Sequence, residues 1–146
     1  MNYSGFNTLT DQYWFAVCYP EGTQDIGGDK FWNVGYLFTA GSNVDDVDFI
    51  VSLAQELQTS NNLSSTNTFI TGMSNGAELC YLIACESSGT LSAYAPVAGT
   101  IFTNGLSQMN LAMVILLQFL KFMELTTMFL IFLETPMTNF GDLILE

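Results

Sequence analysis

Residues 69–85 read FITGMSNGAELCYLIAC, and the centre of this stretch decides the fold. Gly72-Met73-Ser74-Asn75-Gly76 has the form Gly-x-Ser-x-Gly. It stands between an apolar β-type run, TFIT (68–71), and a run whose apolar residues Ala77, Cys80, Tyr81, Ala84 and Cys85 recur at helical spacing. A serine between strand and helix, with a glycine two residues to either side, can occupy a sharp, strained turn that lifts its hydroxyl above a sheet. The backbone N–H of the next residue, Asn75, then opens the helix and can face a developing oxyanion. The plainer reading of the same residues is a Ser-Asn-Gly turn that only starts a helix. The motif also poses a chemical problem, because the 146-residue sequence contains no histidine.

The pattern around the motif is alternating. WFAVC (14–18) is a short buried-strand pattern that ends in a Pro-Glu-Gly turn. In NVDDVDFIVSLAQELQ (43–58), Val47, Ile50, Val51, Ala54 and Leu57 form one helical stripe. Asp45, Asp46 and Asp48 open that helix, where its dipole favours acids, which is a structural rather than a metal-binding reading. SAYAPVAG (92–99) supplies a third strand. Strand, helix, strand, helix, strand in this order predicts an α/β fold with a parallel, doubly wound sheet.

Composition sets limits. Fourteen acids against two bases, Lys30 and Lys121, give a formal charge of −12. No cationic patch is available to displace counterions from nucleic acid, or to bind an anionic membrane surface. The three cysteines, Cys18, Cys80 and Cys85, have no metal-type spacing. Cys80 and Cys85 face different directions on one helix, against a disulfide between them. The residues imply neither a metal nor a cofactor, and nothing at Met1 reads as a signal peptide.

Residues 109–146 differ from what precedes them. They are crowded with Leu, Met and Phe, and hold no glycine before Gly141. Residues 111–133 have about the length of a membrane span, but Gln118, Lys121 and Glu124 fall inside it. A buried or amphipathic helix is a second expectation. A third is that the tail is translated out of frame. Read one base earlier, some codons are forced: Glu124 after Met123 becomes glycine, Phe129 after Met128 becomes valine, and Thr138 after Met137 becomes aspartate. The same frame permits Pro-Val-Leu-Glu-Ile-His-Gly-Thr-Asn-Asp-Asn-Val across 118–129, followed by a loop rich in Gly, Pro and Trp. On this reading residues 1–108 are a partial hydrolase domain, and 109–146 are an aberrant, apolar, helical tail.

YPEGTQDIGGDKFWNVGY, VDDVDFI, NTFITGMSNGAELCYLIACE and YAPVAGT resemble the polyhydroxybutyrate depolymerase and feruloyl esterase-like group of α/β-hydrolases. The resemblance runs from about residue 2 to 107 and is strongest at 19–36, 45–51 and 67–100. It implies a secreted serine esterase that cleaves a polyester or a feruloylated polysaccharide through an acyl-serine intermediate. Ser74 matches the nucleophile and Asn75 one oxyanion-hole donor through its backbone N–H. Trp32 and Asn33 match a loop near the substrate cleft. The family's early His-Gly segment, its triad aspartate and its triad histidine have no counterpart in the frame as written. The expectation is a chain that begins inside an esterase, ends out of frame and is inactive. Such a chain exposes sheet edges and is prone to aggregate. The other functions compatible with the sequence are a noncatalytic binding protein that uses the Trp32 loop, and a membrane-anchored protein that uses 111–133.

Overall fold

The computed structural model describes residues 5–36 and 42–99, together with the backbone of 128–133. In chain order the elements are α1 (Phe6–Tyr13), β1 (Phe15–Cys18), β2 (Thr23–Gln24), β3 (Lys30–Phe31), α2 (Asp46–Asn61), β4 (Thr68–Met73), α3 (Asn75–Glu86), β5 (Ala93–Val97) and β6 (Met128–Leu133). Helices α2 and α3 and strands β1, β4 and β5 are those the sequence predicts.

Four strands form one sheet in the order β1-β6-β4-β5. All three pairings are parallel. Successive residues of a strand point to opposite faces, which divides the core in two. On one face Ala16, Cys18, Ile70 and Tyr94 pack with Ile50 and Ala54 of α2, Leu79, Cys80 and Ile83 of α3, and Trp32. On the other, Phe15, Phe69 and Ala93 meet Phe6 of α1. Helices therefore cover both faces of a parallel sheet, as the alternating pattern requires.

The helical stripes hold. Val47, Ile50 and Ala54 are buried, and Val51 and Leu57 pack at the margin of the same cluster. Asp45 caps α2, its carboxylate accepting the Asp48 N–H at 2.9 Å. The β2–β3 hairpin, which the sequence did not announce, is closed by an ion pair between Glu21 and Lys30.

The C-terminal segment departs from expectation. Residues 128–133, read above as part of an apolar helix or of a membrane span, are a strand in the interior of the sheet. Met128–Ile131 pair with Phe15–Cys18 on one side, and Phe129–Leu133 pair with Thr68–Gly72 on the other. MFLIFL has no period of its own, and two open strand edges give an apolar hexapeptide a complete set of backbone partners. No helix among the described residues is long and apolar enough to cross a membrane. The rest of the expected tail, 109–127 and 134–146, lies outside the described residues.

Candidate active site

Ser74 sits between the last residue of β4 and the first of α3, at φ 54° and ψ −119°. This is left-handed backbone for a residue that carries a Cβ, a conformation that costs on the order of 1–3 kcal/mol and persists only where its surroundings enforce it. Those surroundings can be named. The Ser74 N–H donates to Val97 O at 3.0 Å, which ties the turn to the end of β5. The Ser74 carbonyl accepts the N–H groups of Ala77 at 2.9 Å and Glu78 at 3.1 Å, which winds the first turn of α3 onto it. Gly99 completes the enclosure, because a Cβ there would stand 2.5 Å from Ala77 Cβ and 2.8 Å from Ser74 O. Only a residue without a side chain lets the chain leaving β5 pass so close.

The serine side chain makes no capping bond to its own helix, and the residue is half-buried. The N–H groups of Asn75 and Gly76 precede those of Ala77 and Glu78, so they lie at the positive end of the α3 dipole. A hydroxyl presented beside such donors can attack an acyl carbon and have the resulting oxyanion stabilised, provided that a base takes its proton.

Asn75 has a second role that its place in the motif does not reveal. Its side chain is buried and pairs with the backbone of Trp32 in both directions: Oδ1 accepts the Trp32 N–H at 2.6 Å, and Nδ2 donates to the Trp32 carbonyl at 3.1 Å. A side-chain amide thus replaces a strand neighbour and holds residues 32–36 against the elbow. Two further contacts hold the same segment. The Asn33 N–H donates to Asp46 Oδ2 at 2.6 Å, and the Tyr36 hydroxyl donates to the Glu78 carboxylate one turn along α3. Burial is the main cause that pushes the Tyr36 phenol up to about 12, with Glu78 adding to it and Asn75 opposing. Burial also raises the Asp46 carboxyl, against the lowering effect of the Asn33 N–H.

The structure therefore brings Ser74, Asn75 and the backbone of Trp32 together. The Trp32 ring is fully buried and stacks on Phe49 with centroids 6.5 Å apart, so what it presents toward the elbow is its backbone. Its indole N–H has no acceptor among the described residues. Asn33 instead lines an open recess of about 300 Å³ with Asp45, Asp46 and Glu86, to which Ser74 does not contribute. Asp46, expected to be a helix-dipole residue only, is 3% exposed and positions Asn33.

A parallel sheet with helices on both faces, and Ser74 at the junction of an interior strand and a helix, is compatible with a partial α/β fold. The chain matches the esterase PHB depolymerase family over residues 2–118, and it belongs to that family. No curated protein and no solved structure matches it.

Proposed function

We propose that this chain carries the nucleophile half of a serine carboxylic-ester hydrolase site, and that by itself it turns over little or no ester. Ser74 is the nucleophile position, and the Asn75 N–H is one donor to the oxyanion of the tetrahedral intermediate. The observation that carries the reading is the strained backbone of Ser74 at the junction of β4 and α3, in a chain of the esterase PHB depolymerase family.

In such a site the serine Oγ attacks the ester carbonyl while a base removes its proton. The alkoxide leaves and takes a proton, and water then releases the acyl group by the reverse sequence. The sequence contains no histidine to serve as that base. Loss of the base in triad enzymes costs many powers of ten in rate, and what survives comes from the oxyanion donors and binding. The substrate class is a carboxylic ester, and by family an extracellular polyester or a feruloylated polysaccharide.

A chromogenic short-chain ester, presented to the purified 146-residue chain and to Ser74→Ala, tests the proposal. The two are expected to hydrolyse at the same rate as buffer. Turnover by the parent chain well above the Ser74→Ala control would contradict the missing base.

A further inference from the structure

Asn62-Leu63-Ser64 has the form Asn-x-Ser with a residue other than proline between, the acceptor pattern for an N-linked glycan. It stands on the loop that joins α2 to β4. Asn62 is the C-cap of α2, at φ 54° and ψ 42°, and its backbone N–H donates to Gln58 O. Asparagine is among the few residues with a side chain that take this left-handed backbone readily. The cap uses the main chain of Asn62 and leaves its amide over. Asn61, one residue earlier, is spent differently, because its Nδ2 donates to Leu57 O at 3.0 Å. Asn62 is exposed, and its side-chain amide has no partner among the described residues. Ser64 stays on the same loop, its hydroxyl 3.2 Å from that of Thr66 and its carbonyl accepting the Thr68 hydroxyl at 2.9 Å. This loop lies at the end of the sheet away from the elbow. It enters β4 at Thr68, whereas Ser74 follows β4 at Met73, and six residues at roughly 3.3 Å each set the two about 20 Å apart.

We propose that Asn62 is the attachment site of an N-linked oligosaccharide, which the folded chain carries on the loop between α2 and β4. Attachment joins Asn62 Nδ2 to the anomeric carbon of a sugar delivered as a lipid pyrophosphate oligosaccharide. The bond from that carbon to the pyrophosphate oxygen breaks, the lipid pyrophosphate leaves, and Nδ2 gives up one proton. The place suits a bulky, hydrated substituent. The hydrogen bond that caps α2 comes from the backbone and survives the modification. The residues around it, Asn61, Ser65 and Thr66, are polar and exposed, so a glycan there covers no apolar surface that the fold needs. The elbow, at the other end of β4, stays open. The inference rests on the extracellular reading of the chain given above, because the transferase and its donor act on exported chains. It holds whether or not Ser74 reacts with an ester.

The sequence holds one other Asn-x-Ser, Asn2-Tyr3-Ser4, outside the described residues, so the test is made with Asn2→Gln throughout. The full chain, preceded by a cleavable secretory leader, is translated in the presence of endoplasmic-reticulum microsomes, and protease protection selects the imported molecules. Because the leader supplies the import, failure here is failure of the acceptor site and not of the extracellular reading. The protected chain is expected to run heavier by one glycan, which a peptide N-glycosidase removes from the folded chain. The shift is lost in Asn62→Gln and in Ser64→Ala and is kept in Ser64→Thr. A protected chain with Asn62 unmodified would overturn the proposal. A glycan released only after denaturation would overturn it as well, because residue 62 would then not stand on the folded surface.

Discussion

The elbow and the C-terminal strand lie side by side in one sheet, yet they take their structure from opposite sources. Around Ser74 every local preference agrees: an apolar strand, glycines where the turn is tight, a helix with one apolar face, and small residues where α3 meets β5. Such agreement between levels is what makes a structure specific. Residues 128–133 have no such support. Their strand conformation comes from the two edges on either side, and the same six residues read equally well as helix. A short apolar run without a period adopts what its environment lacks. A motif with internal constraints brings its structure with it.

The largest expected effect on this contrast is at Asn75. Asn75→Ala strands the N–H and carbonyl of Trp32 in a buried site. At about 1–3 kcal/mol for each of the two unsatisfied groups, the loss should be about 2–6 kcal/mol, read as a fall in the denaturant midpoint with an unchanged slope. A loss below about 0.5 kcal/mol would mean that the elbow is held by its own turn, without the clasp on residues 32–36. A smaller effect is expected at Asp45, whose side chain caps α2. Asp45→Ala should cost about 1 kcal/mol, and Asp45→Asn should recover most of it by keeping an acceptor for the Asp48 N–H.

The smallest effect is confined to alkaline solution. Tyr36 has its phenol raised from 10.0 to about 12, so the folded chain holds that proton more tightly than the unfolded chain does. Its contribution is fully present below pH 10 and is lost as pH rises through about 12. Tyr94 is raised to about 12 by burial and acts in the same window. Tyr36→Phe should therefore make the fall in melting temperature above pH 10 shallower without abolishing it, and an unaltered profile would contradict the raised phenol.

Much of this architecture was legible in the residues, and the misses have physical causes. β1, β4, β5, α2 and α3 follow from periodicity and turn residues. Helix α1, FNTLTDQY, escaped because none of its residues is fully buried and it has no side-chain cap. The two-residue strands β2 and β3 are too short to leave a period. At the site, Ser74 and Asn75 were visible through local spacing. The Asn75–Trp32 pairing was not, because it joins residues 43 apart, and a polar side chain does not announce which distant backbone it will satisfy. That the Trp32 ring is core was not legible either, because the residues that bury it are distant in sequence. β6 could not be read at all from its own residues.

Ser74 is held in strained backbone at a strand-to-helix turn, in a sequence that contains no histidine, and the proposed function leaves it without a base. Intact-mass spectrometry of the folded 146-residue chain after incubation with a fluorophosphonate tests this most directly, because the reagent reports serine activation without requiring turnover. No adduct above that of Ser74→Ala is predicted. A stoichiometric adduct that maps to Ser74 would contradict the account and would require a base supplied by some other residue of this chain.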